Sequence, residues 1–379
     1  RKTLTGTETF NLYSTYGLPL EISRDVAQED GIEVDHSGFQ HAMESHRVAS
    51  GAGNLMGDST PAEYNEYLAL RETLQSAKLI GDEGVVHQPY DCPDMTASLI
   101  AVVSNHGKKV TQPKIGDRVG LILASTPFYV EGGGQVSDTG SIAAVDGGWR
   151  VSVTEVSRPA SGIVVHLGEV TAGSPSEGEQ VIASVNSDNR LSTMRNHTAT
   201  HLLHRELRNH LGENTHQAGS LVAPDRLRFD FVHDSALTRT EISQLARRVN
   251  QAILNSLPII TAHEKHDSAI SRGATALFGE KYGDSVRTVQ IGTTESIYSL
   301  ELCGGTHVTN TSEIGIFVIT SEISVAAGTR RIEALTGHAA LQHIEDSLVT
   351  LSDICAELQT VPNELGAKLS QLLSSERDS

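Results

Sequence analysis

Two pairs of metal-binding residue types, about a hundred residues apart, constrain this chain more than any other feature. His197-Thr-Ala-Thr-His201 lies in a stretch of helical pattern, and Cys303-Gly-Gly-Thr-His307 follows it. Histidines at positions i and i+4 project from one face of a helix, as two ligands of a single metal ion must. The two glycines predict a turn rather than a helix for the second pair. Three imidazoles and one thiolate form a ligand set that favours Zn²⁺.

Each half of this pattern is a weak signal by itself, because 17 histidines in 379 residues produce such spacings by chance. The first half also lacks the glutamate of the H-E-x-x-H motif, so the general base of a zinc peptidase is not present. From the residues alone, a hydrogen-bonded pair of helix histidines with a buried thiol stays open beside metal binding.

Length and composition exclude several classes of protein. A chain of 379 residues predicts two or three domains with substantial cores. It has no run of 18 apolar residues and no secretory segment at its start. Cys92, Cys303 and Cys355 are an odd number of scattered cysteines, which favours a reducing, cytoplasmic compartment over a disulfide framework. The chain opens on Arg1 in what reads as mid-domain sequence, so we expect it to be a fragment.

The charge is acidic overall but unevenly distributed. A net charge of −18 argues against a simple nucleic-acid binder. Residues 186–336 nevertheless carry 15 basic and 16 acidic side chains, and most of the basic ones are arginines. This near-neutral segment contains both metal-binding pairs, so its arginines are candidates for a phosphate-binding surface. Ion pairs with neighbouring carboxylates are the alternative.

The hydrophobic pattern predicts a multidomain α+β fold. Residues 1–57 read as mainly helical, with an amphipathic stretch through Phe39, Met43 and Val48, and residues 58–82 read as a linking helix with Pro61 in an early position. Between 83 and 185, short apolar runs alternate with glycine, aspartate and proline turns, which predicts a small antiparallel β-barrel. Asp146-Gly147-Gly148 predicts a hairpin within it.

Residues 186–336 combine both periodicities, and residues 337–379 are helical in pattern. One helix is expected over 190–211, ending at Gly212, and another over 239–256, with Thr238 or Thr240 as its N-cap. Strands are expected over 226–232, 286–291 and 314–321. In the tail, apolar residues from Leu341 to Leu358 follow heptad spacing until Pro362 interrupts them. A coiled coil and a surface helix packed on its own domain both stay open.

Seven motifs, in the family's order, make this chain resemble bacterial-type alanyl-tRNA synthetases. The chain resembles the end of that family's helical tRNA-recognition region in two segments, Leu12-Tyr-Ser-Thr-Tyr-Gly-Leu-Pro19 and residues 38–47. Its barrel signature, T-P-F-Y-x-E-x-G-G-Q-x-x-D-x-G, resembles residues 126–140. Its editing domain resembles residues 196–204, 219–222 with 227–231, 302–307 and 328–334. Threonyl-tRNA synthetases and free-standing editing proteins share the zinc pattern, but the N-terminal helical segment and the heptad tail favour the synthetase.

The resemblance implies a function for each region. Residues 1–57 would end the tRNA-recognition region, 83–185 form a barrel subdomain, 186–336 an editing core, and 337–379 the start of a C-terminal oligomerisation region. The editing core would hydrolyse the ester of serine or glycine wrongly attached to the tRNA for alanine. ATP-dependent alanine ligation would belong to a catalytic domain of the parent protein, upstream of Arg1. Two alternatives are a tRNA-binding scaffold with a purely structural zinc, and a free-standing trans-editing deacylase.

The resemblance also implies roles for individual residues. His197, His201, Cys303 and His307 would hold one Zn²⁺ per chain. Thr200 would sense the hydroxyl of serine, and Gln217 would orient water or substrate; an ordinary helix threonine, bonded back to a carbonyl, is the alternative for Thr200.

Three further groups of residues are assigned in the same way. Gly133, Gly134 and Gln135 would lie near the tRNA end, although a glycine-rich segment is more often only a turn. Arg330 and Arg331 would meet tRNA phosphates, unless they pair with acidic neighbours such as Glu333. His204 is expected to pack or to support a ligand. Gly132 stands where the family commonly has serine.

Overall fold

A computed structural model describes residues 61–377 except 105, 214, 277–282 and 327, together with residues 3–6, 8–10, 24, 27, 32–35, 38 and 39. Strand β1 (Thr3–Leu4) pairs in parallel with β2 (Glu33–Val34). Most of the remainder of the segment predicted to be helical, including Met43 and Val48, lies outside the described residues. So does the motif at 12–19, and only residues 38 and 39 of the motif at 38–47 are described.

A helix, α1 (Pro61–Ser76), lies within the range expected for the linking helix. Proline suits the first helical position because its missing N–H would have no partner there. Tyr67 and Leu74 of α1 are buried and belong to the same apolar cluster as the β-strands that follow. The helix is therefore packed against the barrel rather than suspended between domains.

The predicted antiparallel β-barrel is confirmed. Two short strands, β3 (Val86–His87) and β6 (Ser125–Thr126), pair beside it. The strands of the barrel are β4 (Asp94–Val103), β5 (Arg118–Leu123), β7 (Gly140–Ala144), β8 (Arg150–Ala160), β9 (Ile163–Ala172) and β10 (Gln180–Val185). The barrel closes in the order β10-β4-β5-β9-β8-β7. Branched aliphatic side chains fill the interior, and the β7–β8 hairpin turns at the predicted residues, where Gly147 has a φ of +78°.

The α+β core follows the barrel directly. Helix α2 (Ser187–Leu211) leads into β11 (Gln217–Val222), β12 (Leu227–Val232) and α3 (Arg239–Leu254). Next come β13 (Ile259–Lys265), α4 (His266–Ser271), β14 (Ser285–Gly292) and β15 (Ile297–Leu302). After a 3₁₀ turn at Thr311–Ile314, β16 (Phe317–Ala326) and β17 (Thr329–Thr336) complete an antiparallel sheet in the order β11-β12-β17-β16. Strands β13, β14 and β15 form a second sheet.

The helix ends follow their capping residues. Helix α2 begins three residues before the prediction because the Asn186 side chain accepts a hydrogen bond from the amide of Asn189, and it ends at Gly212 as predicted. Helix α3 begins after a capping box of Thr238 and Glu241. The strand predicted over 314–321 is wrong at its start, because Asn310 caps the 3₁₀ turn and delays the strand to Phe317.

The tail folds as two helices, α5 (Gly337–Glu357) and α6 (Leu365–Arg377), separated around Pro362 as predicted. On α5, Ala340 and Cys355 are buried, whereas Leu341 and Leu348 are 47% and 59% exposed. About half of each of these two heptad leucines is therefore left uncovered, and the coiled coil stays a prediction. No helix within the described ranges is long and apolar enough to cross a membrane.

Candidate metal centre

Helix α2 presents the first pair of candidate ligands. His197 and His201 are buried, and their rings stack with centroids 5.2 Å apart and planes 12° apart. Elsewhere on α2, Leu203 and Leu207 are buried with Phe229 of β12 in the apolar cluster of the core. Packing of the helix against the sheet thus fixes the direction in which both imidazoles point.

The turn after β15 brings in the second pair, as the two glycines predicted. The Cys303 sulfur lies 3.4 Å from Nε2 of His197 and 3.3 Å from Nε2 of His307. The ligand atoms of these residues and His201 all lie within 4.8 Å of one another. We call these four residues the ligand cluster.

The geometry and the donor set of the ligand cluster are compatible with zinc. Tetrahedral zinc with ordinary bond lengths places a sulfur and a nitrogen ligand about 3.6 Å apart. The Nε2 atom of His201 is buried without a hydrogen-bond partner, which is a costly state for a polar atom unless a ligand satisfies it. Four protein ligands would give the closed arrangement typical of structural zinc sites.

Each imidazole is oriented by a partner on its other nitrogen. His197 donates from Nδ1 to Oε1 of Gln135 (2.7 Å). His201 approaches Glu301 through Nδ1 (2.7 Å), and His307 approaches the Thr198 hydroxyl through Nδ1 (3.2 Å). These contacts leave all three Nε2 atoms for a metal. None of these three partners was predicted from the sequence. For Glu301 a signal was available, because a carboxylate two residues before Cys303 is unusual in a largely apolar strand.

Charges around the cluster favour the metal-binding form of the thiol. Burial raises the pKa of Cys303, but His197, His307 and His201 outweigh it and hold that pKa well below its usual range. Burial, together with His197, lowers the pKa of His307 to about 3, which keeps its imidazole neutral. Thiolate and neutral imidazole are the forms that bind metals.

His201 and Glu301 shift in opposite directions. Burial opposes protonation of His201, but the Glu301 carboxylate and the Cys303 thiolate outweigh it and raise the pKa of His201 to about 10. Burial likewise opposes ionisation of Glu301, but His201 and His204 hold the pKa of Glu301 well below its usual range. At neutral pH His201 is therefore an imidazolium between two anions, and a metal ion bound at its Nε2 would take the place of that proton.

His204 does not join the ligand cluster. Its Nδ1 lies 3.3 Å from Glu301, and its ring packs against Phe229 with centroids 5.3 Å apart. Glu301 contacts both His204 and His201, so it connects His204 to a residue of the ligand cluster. These contacts agree with the packing or supporting role predicted for it.

Thr200 and Gln217 occupy different surroundings. Thr200 is buried, and its hydroxyl donates to the carbonyl of Asn196 (2.8 Å), the back-bond named as its alternative. Gln217 is half-buried as the first residue of β11, where it pairs with Phe231 of β12. Their roles in catalysis stay predictions.

The glycine loop, residues 132–135, docks on the α+β core. The amide of Val136 donates to Val222 (3.0 Å), and the amide of Val222 donates to Gly134 (2.7 Å). Gly134 has a φ of +82°, and a Cβ there would lie 2.8 Å from the carbonyl oxygen of Ser220. Gly132 has no such constraint, since its Cβ would find its nearest neighbour at 3.7 Å, so the serine common in the family would fit. Contact of Gly133, Gly134 and Gln135 with tRNA stays a prediction.

A buried ion pair forms a second connection between barrel signature and core. Arg190 of α2 pairs with Asp138, and their side chains are 11% and 5% exposed. Arg190 also donates to the carbonyls of Pro89 (2.6 Å) and Pro127 (2.9 Å), while Asp138 accepts from the amide of Tyr129 (2.6 Å). Arg190 thus connects α2 to three residues outside the core, and the Asp138 carboxylate is fixed by both parts.

Arg330 and Arg331 already have carboxylate partners. Arg330 donates to Glu322 through Nε (2.6 Å) and Nη2 (2.8 Å). Arg331 donates to Asp230 through Nε (2.7 Å) and Nη2 (2.8 Å). The partners differ from Glu333, the neighbour named as an alternative. Contact with tRNA phosphates stays a prediction.

Two known families match different parts of this chain. The family described as tRNA synthetases class II (A) matches residues 1–189. The family described as the second additional domain of threonyl and alanyl tRNA synthetases matches residues 286–333, which include Cys303 and His307.

Curated relatives agree over nearly the whole chain. The alanine–tRNA ligase of Pelotomaculum thermopropionicum is 40% identical over 375 residues, 99% of this chain and 41% of the relative. Those of Acetivibrio thermocellus and Geobacillus kaustophilus are 41% and 40% identical and are covered to 41% and 40% of their lengths. The chain thus spans about two fifths of the length of these relatives. Matched along its length by such proteins, the chain belongs to the alanyl-tRNA synthetase family.

Proposed function

We propose that this chain hydrolyses the ester that joins serine or glycine wrongly to the tRNA for alanine, with one zinc ion as cofactor. The observation that carries the proposal is the ligand cluster, whose turn at Cys303 lies in the region matched to the second additional domain of threonyl and alanyl tRNA synthetases. The expected partner is tRNA for alanine, and the expected compartment is the cytoplasm.

The chemical need for such an activity follows from the size of alanine. A pocket built for a methyl group cannot strongly exclude glycine, which is smaller, and rejects an added hydroxyl only weakly. A second site that acts on the mischarged product supplies the missing discrimination. Such a site distinguishes serine from alanine when a polar partner would be left unpaired by the methyl side chain.

Roles for the protein groups follow from their positions. Zinc held by the four protein ligands would act as a Lewis acid that orients and polarises the ester by accepting it as a fifth ligand. The Thr200 hydroxyl uses its hydrogen on Asn196, so its oxygen is left to accept a hydrogen bond from the hydroxyl of serine. Gln217 orients water or substrate, and the glycine loop lies near the tRNA end. Arg330 and Arg331 contact phosphates through Nη1, since Nε and Nη2 are paired.

The proposal extends to the organisation of the protein. We retain the division into regions at 1–57, 58–82, 83–185, 186–336 and 337–379. Since the matched relatives are more than twice as long, this chain is proposed to be part of an alanine–tRNA ligase that joins alanine to its tRNA with ATP. The exposed Leu341 and Leu348 of α5 are proposed to contribute to a homo-oligomer of that protein.

Deacylation with matched cysteine variants tests the function. We expect wild-type protein to hydrolyse seryl-tRNA for alanine and to spare alanyl-tRNA. Cys303→Ala removes the thiolate ligand, so bound zinc and seryl hydrolysis should both fall to background. Cys92→Ala changes an exposed cysteine outside the cluster and should retain both. Folded, zinc-loaded wild type without hydrolysis would instead favour the alternative of a tRNA-binding scaffold.

Thr200→Val tests the proposed discrimination. The loss of one hydrogen bond to the serine hydroxyl should reduce seryl hydrolysis about tenfold. Hydrolysis of glycyl-tRNA should not change, because glycine has no hydroxyl to bind. Thr73→Val on α1 removes the same kind of bond to a helix carbonyl, at a distant site, and serves as the control. An equal decrease for both esters would show that Thr200 is structural.

A further inference from the structure

Gln135 belongs to the barrel signature, yet its side chain is fully buried beside the ligand cluster. Its Oε1 accepts hydrogen bonds from Nδ1 of His197 (2.7 Å) and from the amide of Thr306 (2.9 Å). Its Nε2 donates to the Thr306 hydroxyl (2.9 Å). Because Thr306 lies between Cys303 and His307, one glutamine from the barrel connects the helix-borne ligand with the turn that carries two others.

The backbone on both sides of Gln135 is fixed by the interface with the core. The carbonyl of Gly134 and the amide of Val136 both bond to Val222 of β11. The side chain can therefore reach His197 only while the glycine loop lies against β11. If the barrel separated from the core, Nδ1 of His197 and the amide of Thr306 would lose their acceptor together.

We propose that Gln135 couples zinc binding by the core to docking of the barrel on that core. A hydrogen-bond partner on the outer nitrogen of a metal-bound histidine selects its tautomer and orients its ring, and its loss typically weakens metal binding about 10- to 100-fold. Coupling between two binding events is reciprocal, so bound zinc must favour the docked barrel by the same factor. The inference rests on the proposed zinc site and not on the deacylase activity.

Hydrogen exchange of interface amides measures the docking side of this coupling. The amides of Val136 and Val222 bond across the interface, so their exchange reports separation of barrel from core. Removal of zinc from the wild-type chain should speed their exchange about 10- to 100-fold. Val170, whose amide bonds within the barrel, and Thr311, whose amide bonds within the core, should change little. Equal acceleration at Thr311 would mean that the core unfolds, and would overturn the inference.

Substitutions at Gln135 measure the metal side. Gln135→Met keeps the length of the side chain but removes the acceptor, so zinc affinity in chelator competition should fall about 10- to 100-fold. Bound zinc should then no longer slow the hydrogen exchange of the Val136 and Val222 amides. Gln135→Glu retains an acceptor and should bind zinc much as wild type does. Gly132→Ser, in the same loop with space for a Cβ, controls for general damage.

The outcomes separate this inference from the proposed function. The coupling would be overturned if Gln135→Met bound zinc as tightly as wild type does. It would also be overturned if removal of zinc from wild type left hydrogen exchange of the interface amides unchanged. If the expected effects appear but seryl-tRNA is not hydrolysed, the coupling stands and the deacylase proposal is wrong. If the wild type binds no zinc, both the metal site and the coupling are wrong.

Discussion

Gly305→Ala is expected to weaken zinc binding by up to about 100-fold, whereas Gly304→Ala, one residue earlier, is expected to leave it intact. A Cβ on Gly305 would lie 1.9 Å from Cε1 and 2.2 Å from Nδ1 of His197, and 2.8 Å from Oε1 of Gln135. A Cβ on Gly304 would meet nothing within 4 Å. The His197 ring is held in place by α2, so the turn must move and carry Cys303 away from the other ligands.

The size of this effect follows from the cost of overpacking. One to three kcal/mol is typical for a misfitting buried group, which corresponds to about 100-fold in affinity at the upper end. Zinc content per chain and chelator competition, measured for both variants and wild type, provide the comparison. Similar zinc affinities for Gly305→Ala and Gly304→Ala would contradict the described position of the turn.

Arg190→Ala is expected to be the most destabilising single change between barrel and core. It would leave the Asp138 carboxylate buried without its guanidinium partner and the carbonyls of Pro89 and Pro127 without their donor. Breaking a buried ion pair by removing one partner costs about 3–5 kcal/mol. The shift in free energy of unfolding, measured by urea denaturation, should lie in that range.

Arg205 on the same helix provides the matched control. Its pair with Glu213 has a separation of 3.9 Å, and the two side chains are 37% and 67% exposed. Surface pairs of this kind contribute about 0–1 kcal/mol. Equal destabilisation by Arg190→Ala and Arg205→Ala would mean that loss of a helix arginine, rather than the buried pair, accounts for the effect.

The parts of the fold that were predicted from sequence carry local signals. The barrel followed from short apolar runs between glycine, aspartate and proline turns, and α3 followed from a threonine N-cap, which the structure places at Thr238. The four candidate ligands followed from residue type and spacing. The start of β16 was misplaced because β-branched residues near 314 suit a strand, while Asn310 caps a 3₁₀ turn there.

The partners of the site residues could not be predicted because the fold brings them from distant positions. Gln135 lies 62 residues before His197, and Glu301 lies 100 residues after His201. Asp230 faces Arg331 only because β12 and β17 pair in one particular register. Local sequence showed that these side chains were polar and close to motifs, but the register and the docking of the barrel decided which atoms they contact.

Closure of the barrel has a consequence for how defects in this protein would be recognised. Six strands that pair in a ring satisfy one another's backbone groups without help from the core. A variant that has lost its metal, or has its barrel detached, should therefore retain most of its circular-dichroism signal and remain soluble enough to purify. Screens based on overall folding would classify such chains as normal, and only metal content or interface exchange would distinguish them.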